Sequence, residues 1–248
     1  MKRIHLDFSS AKGWSELTQE ELIYILKLRA QGLNHTQQKA YLFFRSNKIK
    51  PIKQYPNGWT IEWNKIRVFL EDWQLLGLLK PLQFLEEIIP TEVVSVRVLQ
   101  DNAGVNSYLV DGGEKNKALT FKEYLSADAS YQDYLQTQDL SSLQSLAKTL
   151  YPGLSQELKD WEKYAVLMWW SSVKLFLSKQ YGELFRPAPE ASDLDILAAM
   201  NGQIRALTSG DITKEEQVLK MNVHRGLTEL DAKAREVREL KERAKKNV

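Results

Sequence analysis

The side chains that most often do chemistry are few in this chain and far apart. Its histidines, His5, His35 and His224, are isolated, with no other histidine or cysteine at metal-ligand spacing. Cysteine is absent, which excludes disulfides, thiolate metal sites and thiol nucleophiles. No serine lies in the Gly-x-Ser-x-Gly turn that lifts a nucleophile above a sheet, although a triad assembled in space leaves no such trace. "VDGGEKNK" has paired glycines but lacks the Gly-Lys-Ser/Thr of a phosphate loop, and reads as a turn. Glu86 with Glu87, and Asp193 with Asp195, fall at helix ends and in loops, where nothing marks one carboxyl as acid and the other as base. The expectation is a protein without catalytic site, metal or cofactor, acting through its surfaces.

Basic residues make a second kind of chemistry available. In "RSNKIKPIKQYPNGW", Arg45, Lys48, Lys50 and Lys53 lie near Tyr55 and Trp59. Cations neutralise phosphates and aromatic rings stack on bases, so a nucleic-acid contact is the alternative function for residues 34–59. The two preceding helical segments have the length of a helix-turn-helix. Against this, the would-be recognition helix "HTQQKAYLFFRS" has few base-reading side chains, and a net charge of +2 draws in neither nucleic acid nor anionic membrane globally.

The elements that would position these residues are mostly helices. The chain has 248 residues, 43% hydrophobic and 27% charged, ordinary values for a globular protein of one large or two small domains. Thr18 with Glu21, Thr120 with Glu123 and Thr213 with Glu216 each have capping-box spacing and mark three helix starts. Apolar periodicity predicts helices over 18–29, from Asn34 through Phe44, and over 62–76, with residues 46–59 as a loop. "EVVSVRVLQ", the turn "DNAG" and "VNSYLVDGG" predict a β-hairpin over 93–111. Further helices are expected at about 120–137, 139–150, 155–180, 193–208 and 213–245. The fold class is mainly α with a minor β part (α+β), a helical bundle with one small hairpin. Two lobes are expected, residues 1–115 and 116–248. No segment has the form of a signal peptide or a membrane span, which predicts a soluble cytoplasmic protein.

The helix over 155–180 is apolar around much of its circumference and must be surrounded by others. Trp169 and Trp170 point about 100° apart on it, so one can face the core while the other meets a neighbouring element or a partner; core packing is expected for both, with Trp170 as the candidate for a partner. The last helix carries a narrow stripe, Leu227, Leu230, Ala234, Val237 and Ala244, flanked by acid-before-base pairs four residues apart. Leu230, Ala234 and Val237 are therefore candidates for partner binding or self-association.

Two stretches carry a resemblance. "ALTFKEYLSADASYQDYL" with "LAKTLYPG", and "AAMNGQIRALTSGDITKEEQVLKMNVHRGLTELDAKAREVRELKERAKK", resemble proteins encoded in tail-gene regions of phages and prophages of gut Bacteroidetes. Those proteins are similar to tail assembly chaperones, small helical proteins that coat the tape-measure protein before the tail tube closes over it. The resemblance covers about half of the chain, and the N-terminal hundred residues lie outside it. It implies a non-catalytic assembly protein whose partner is the tape-measure or another tail protein.

Overall fold

Helices begin where a side chain satisfies the first free backbone N–H groups. α1 (Gln19–Ala30) starts at Thr18, whose hydroxyl accepts from the Glu21 N–H at 3.2 Å while the Glu21 carboxylate accepts from the Thr18 N–H at 3.0 Å. α2 (His35–Ser46) starts at Asn34 with the same reciprocal bonds to Gln37, at 2.9 and 3.1 Å. It ends in a Schellman turn: the Ile49 N–H returns to the Phe44 carbonyl at 2.8 Å and the Lys48 N–H to Arg45 at 3.1 Å. Lys48 occupies the left-handed position there, with φ 54°. The computed structural model describes residues 8–87, 119–151, 154–186 and 195–246.

β1 (Lys50–Tyr55), β2 (Gly58–Trp63) and β3 (Ile66–Glu71) follow as an antiparallel sheet in that order. Pro51 lacks a donor and is tolerated because β1 is an edge strand; the register slips beside it, between Pro51 and Lys53. Asn64 and Lys65, with φ 48° and 65°, form the two-residue turn whose twist suits a β2–β3 hairpin. Trp59 opposite Leu70, and Ile61 opposite Val68, face inward beneath α2. There the Trp59 ring meets Phe44 at 5.5 Å and Tyr41 at 6.3 Å. α3 (Asp72–Leu79) and the 3-10 turn Lys80–Glu86 complete this region.

Two expectations fail here for one reason. The helix predicted over 62–76 begins only at Asp72, and the loop predicted over 46–59 contains β1 and the start of β2. Ile66, Phe69, Leu70 and Trp73 do have helical spacing. Trp59, Ile61 and Trp63, then Ile66, Val68 and Leu70, also recur at period two, broken only by Phe69 on the other face of β3, and the Asn-Lys turn lets the two runs pair. The described β component is this three-stranded sheet. The hairpin expected at 93–111 lies outside the described residues.

In the second half, of the two expected capping boxes the one at Thr120 forms and the one at Thr213 does not. α4 (Phe121–Thr137) starts at Thr120, boxed with Glu123 through bonds of 3.2 and 2.7 Å. α5 (Leu140–Leu150) is capped by Asp139, α6 spans Asp160–Gln180, and α7 (Ile196–Thr208) is capped by Asp195. The helix expected over 213–245 is split into the 3-10 turn Ile212–Lys214, α8 (Glu215–Lys220) and α9 (Val223–Lys246). Thr213 is no cap: its N–H and hydroxyl both donate to Asp211, at 3.0 and 2.6 Å, while Glu216 pairs with Lys220. Asn222 makes the second break, its side-chain oxygen accepting from the His224 N–H at 2.8 Å. The extended residue Met221 accepts from the Phe121 N–H, and the Val223 N–H donates to Leu119, so Thr120 and Asn222 form an antiparallel bridge.

The architecture is mainly α with one small antiparallel sheet. The chain groups into two units, Met1–Val98 with Asp160–Trp169, and Leu99–Lys159 with Trp170–Val248. In the first unit the core is built from Trp14, Leu22, Ile25, Leu26, Phe43 and Phe44, with Ile61 from the sheet. In the second, α4 packs against α5, α7, α8 and α9.

Candidate functional site

The expected partner residues fall in different surroundings. Trp170 is fully buried, against Tyr124 at 6.1 Å, and Leu230 is buried too. Neither is open to a partner in this conformation. Ala234 is half-buried and Val237 is 51% exposed. The reason for the gradient lies in Asp231. Its buried carboxylate accepts from the Glu183 and Leu184 N–H groups at 2.9 and 3.0 Å, and Glu183 in turn pairs with Arg238 at 2.5 Å. These bonds hold the first half of α9 against the turn after α6, so Leu227 and Leu230 become core. Beyond Arg238 the helix is exposed and Leu240 is 64% open. Leu197 of α7, which packs against α9, is 67% exposed. Leu197 and Leu240 were not among the expected residues. Leu240 was discoverable as the i+3 partner of Val237.

A group of titratable side chains lies inside the second unit. The Lys174 ammonium lies 2.7 Å from Asp128 and donates to the Tyr124 hydroxyl at 3.3 Å, and Ser171 donates to Tyr131 at 3.4 Å. Burial, reinforced by the Asp128 charge, pushes the Tyr124 phenol well above its ordinary value of 10. Burial also raises Tyr131, with Asp128 adding to it and the Ser171 hydrogen bond opposing. Both phenols therefore stay protonated, and Lys174 and Asp128 neutralise each other. The group joins α4 to α6 and leaves no free base or nucleophile among these five side chains.

The four basic candidates of the alternative function are spread over α2, the turn after it and β1. The Arg45 guanidinium stacks over the Tyr24 ring at 4.5 Å and pairs with Glu20 at 3.7 Å, in the packing of α1 on α2. Lys48 is in the turn after α2. Lys50 and Lys53 stand on the outward face of β1, opposite Glu62 and Thr60. α2 cannot serve as a recognition helix, because half of its twelve residues, Gln38, Lys39, Ala40, Leu42, Phe43 and Phe44, are buried. Trp59 faces inward, so it is no stacking platform.

What the sheet does assemble is an outward row that sequence reading missed. Lys50, Glu62 and Arg67 lie side by side across the strands, and so do Lys53, Thr60 and Phe69, then Tyr55, Gly58 and Glu71. Tyr55 and Phe69 are 38% and 43% exposed and meet edge to face at 5.9 Å over Gly58, while the Lys53 ammonium lies 4.9 Å from the Tyr55 ring centre. A Cβ on Gly58 would stand 2.3 Å from the Leu70 carbonyl oxygen and 2.8 Å from the Phe69 ring, so the ring lies where a side chain would be. The signal for Arg67 and Phe69 was the period-two alternation.

Among the described residues, a cleft of about 620 Å³ in the second unit is lined by Thr213, Glu216, Lys220 and Arg225, with Glu216 and Lys220 paired at 2.6 Å. A cleft of about 430 Å³ in the first unit has Trp59 and Leu76 with the amides of Asn34, Gln37 and Gln54 and the carboxylate of Asp72. Among the described residues no group of three His, Asp or Glu side chains could hold a metal ion, and no helix is long and apolar enough to cross a membrane. Comparison of the chain with family models, with curated proteins and with solved structures found no match.

Proposed function

We propose that this is a non-catalytic assembly protein that binds another protein along the open edge of α7 and α9. The observation that carries the reading is the exposure of Leu197, Val237 and Leu240 on two helices that pack together. Exposed aliphatic side chains on packed helices suit the apolar stripe of a client helix laid alongside. The resemblance of the segments around α4 and α7–α9 to phage tail-region proteins supports a client of the tape-measure type, a long helical protein with apolar stretches that need cover before assembly. On this reading the protein acts in the cytoplasm as a chaperone-like tail assembly factor. A second copy docked through α9 is the competing occupant.

The test is co-expression with a phage tape-measure protein, with co-purification as readout. The triple variant Leu197→Lys, Val237→Lys, Leu240→Lys is expected to lose the client while keeping the parent's circular dichroism, because all three side chains are already exposed. Unchanged co-purification would overturn the reading. Sedimentation analysis of the protein alone separates client binding from self-association.

A further inference from the structure

We infer that the outward face of the sheet is a binding surface for single-stranded nucleic acid, independent of the protein-binding edge on α7 and α9. The argument begins with charge. Residues 45–70 hold six lysines and arginines against one glutamate, whereas the whole chain has a net charge of only +2. The remainder is therefore acidic on balance, and its charge hides a local cationic region. β1 turns this excess to one side: Lys50 and Lys53 are outward and exposed, and Arg67 joins them from β3. Two acids share the face: Glu62 cancels against Arg67 at 3.4 Å, and Glu71 accepts from the Trp73 indole N–H but keeps its charge, so Lys50 and Lys53 supply the cationic excess.

Aromatic placement argues for the occupant. Tyr55 and Phe69 project from the two strands flanking β2 and meet over Gly58, where no side chain intervenes. Rings on an open sheet, bordered by cations at phosphate reach, are the arrangement by which single strands are held: bases stack on the rings and the backbone is neutralised alongside. A duplex keeps its bases stacked on one another and gains only the charge contacts. Outward positions of β2 and β3 hold Thr60, Glu62, Arg67 and Phe69, and a protein partner for the same face is an outcome of the test below.

The test is fluorescence anisotropy of the full chain with a labelled oligothymidylate of about 12 nucleotides, against a duplex of equal length. The oligothymidylate is expected to bind, more tightly than the duplex, and to weaken at least several-fold between about 50 mM and about 200 mM salt. Tyr55→Ala combined with Phe69→Ala should weaken binding by about ten-fold or more. Lys53→Glu should weaken it and reduce the salt slope. The Leu197/Val237/Leu240 triple variant should bind as the parent does, which keeps this outcome separate from that of the client test. Absence of binding at low salt, equal binding of duplex, or loss on Lys53→Glu with no change on the aromatic variants would each overturn the inference. So would loss of a co-purifying protein, rather than of the oligonucleotide, in the aromatic variants. Thermal melting of each variant at the parent's temperature shows that the fold is intact.

Discussion

The two units complete their interiors and their surfaces in opposite ways. In the first, the core is dominated by rings, with Trp14, Phe43, Phe44 and Trp59 in ring-to-ring contacts, Gln38 and Lys39 are its buried polar side chains on α2, and the sheet turns a charged face outward. In the second, polar groups are taken inside: Tyr124, Tyr131, Ser171 and Asp231 are buried and bonded, and the open edge of α7 and α9 is left aliphatic. A cationic aromatic face selects partners by charge and stacking, so its binding depends on salt. An aliphatic helix edge selects by shape and buried area and depends on salt little. The contrast therefore predicts two kinds of partner for one chain, and each substitution below probes one side of it.

The largest effect is expected at the two buried tryptophans. Trp14 in the first unit and Trp170 in the second are each at most 2% exposed, and neither indole N–H has a hydrogen-bond partner among the described residues. Trp14→Ala and Trp170→Ala should each cost about 3–5 kcal/mol in chemical denaturation. Phenylalanine at either site should cost only about 1–2 kcal/mol, because the unpartnered donor leaves with the indole. A small effect of Trp170→Ala would mean that the ring is at the surface after all, and the contrast between a closed interior and an open α9 edge would fail.

Next come the two glycines on which an aromatic ring leans. A Cβ on Gly226 of α9 would lie 2.7 Å from Phe121, as one on Gly58 would clash with Leu70 and Phe69. Gly226→Ala and Gly58→Ala should each destabilise by about 1–3 kcal/mol. The units differ in what can yield. Gly226→Ala meets only a side chain, so Phe121→Leu in the same protein should recover part of the loss. Gly58→Ala also meets the Leu70 carbonyl, so Phe69→Leu should recover less. Equal recovery in both double variants would refute this difference.

What could be read from sequence follows the range of the interaction. Thr18, Asn34, Thr120 and Asp139 were readable as helix starts because a cap is settled within four residues. Thr213 failed for the same local reason, since Asp211, two residues earlier, takes the bonds first. The sheet was not readable because Ile66, Phe69, Leu70 and Trp73 satisfy a helix until Val68 finds Ile61 across the β2–β3 turn. Trp170 looked available because adjacent tryptophans diverge on a helix, yet α6 is buried around both. The outward sheet face escaped notice because total charge averages a basic segment with an acidic remainder.

The caps give a smaller effect that is tunable by pH. Burial raises the Glu21 carboxyl, but hydrogen bonds from the Ser46 hydroxyl and from the Thr18 N–H and hydroxyl, with the Arg45 charge, outweigh it and hold the group below its ordinary 4.5. A carboxyl lowered on folding contributes stability that is complete above its unfolded value and is lost as pH falls through the folded one. Thr18→Ala should therefore cost about 1 kcal/mol near neutral pH and flatten the fall of stability below about pH 4.5. Thr120→Ala is the counterpart in the second unit, with a similar cost near neutral pH. A Thr18→Ala protein whose acid limb is as steep as the parent's would remove Glu21 from the account.

The smallest effect should be favourable, and it again separates the units. Lys48 after α2 and Gln138 after α4 both hold left-handed backbone, with φ 54° and 60°, where a Cβ costs energy and glycine is usual. Gln138 has compensation: its carboxamide donates to the Tyr134 and Leu135 carbonyls, both at 3.3 Å. Lys48 is exposed, and the Schellman turn around it depends on backbone bonds that glycine would keep. Lys48→Gly should therefore stabilise by about 0.5–1 kcal/mol, and Gln138→Gly by less, because the relief of strain is offset by the lost side-chain bonds. Lys48 lies beside β1 but not on its outward face, so the same substitution should change oligonucleotide affinity less than Lys53→Glu does. If Lys48→Gly instead abolished that binding, the cationic surface would have to be redrawn around the end of α2 rather than across the sheet.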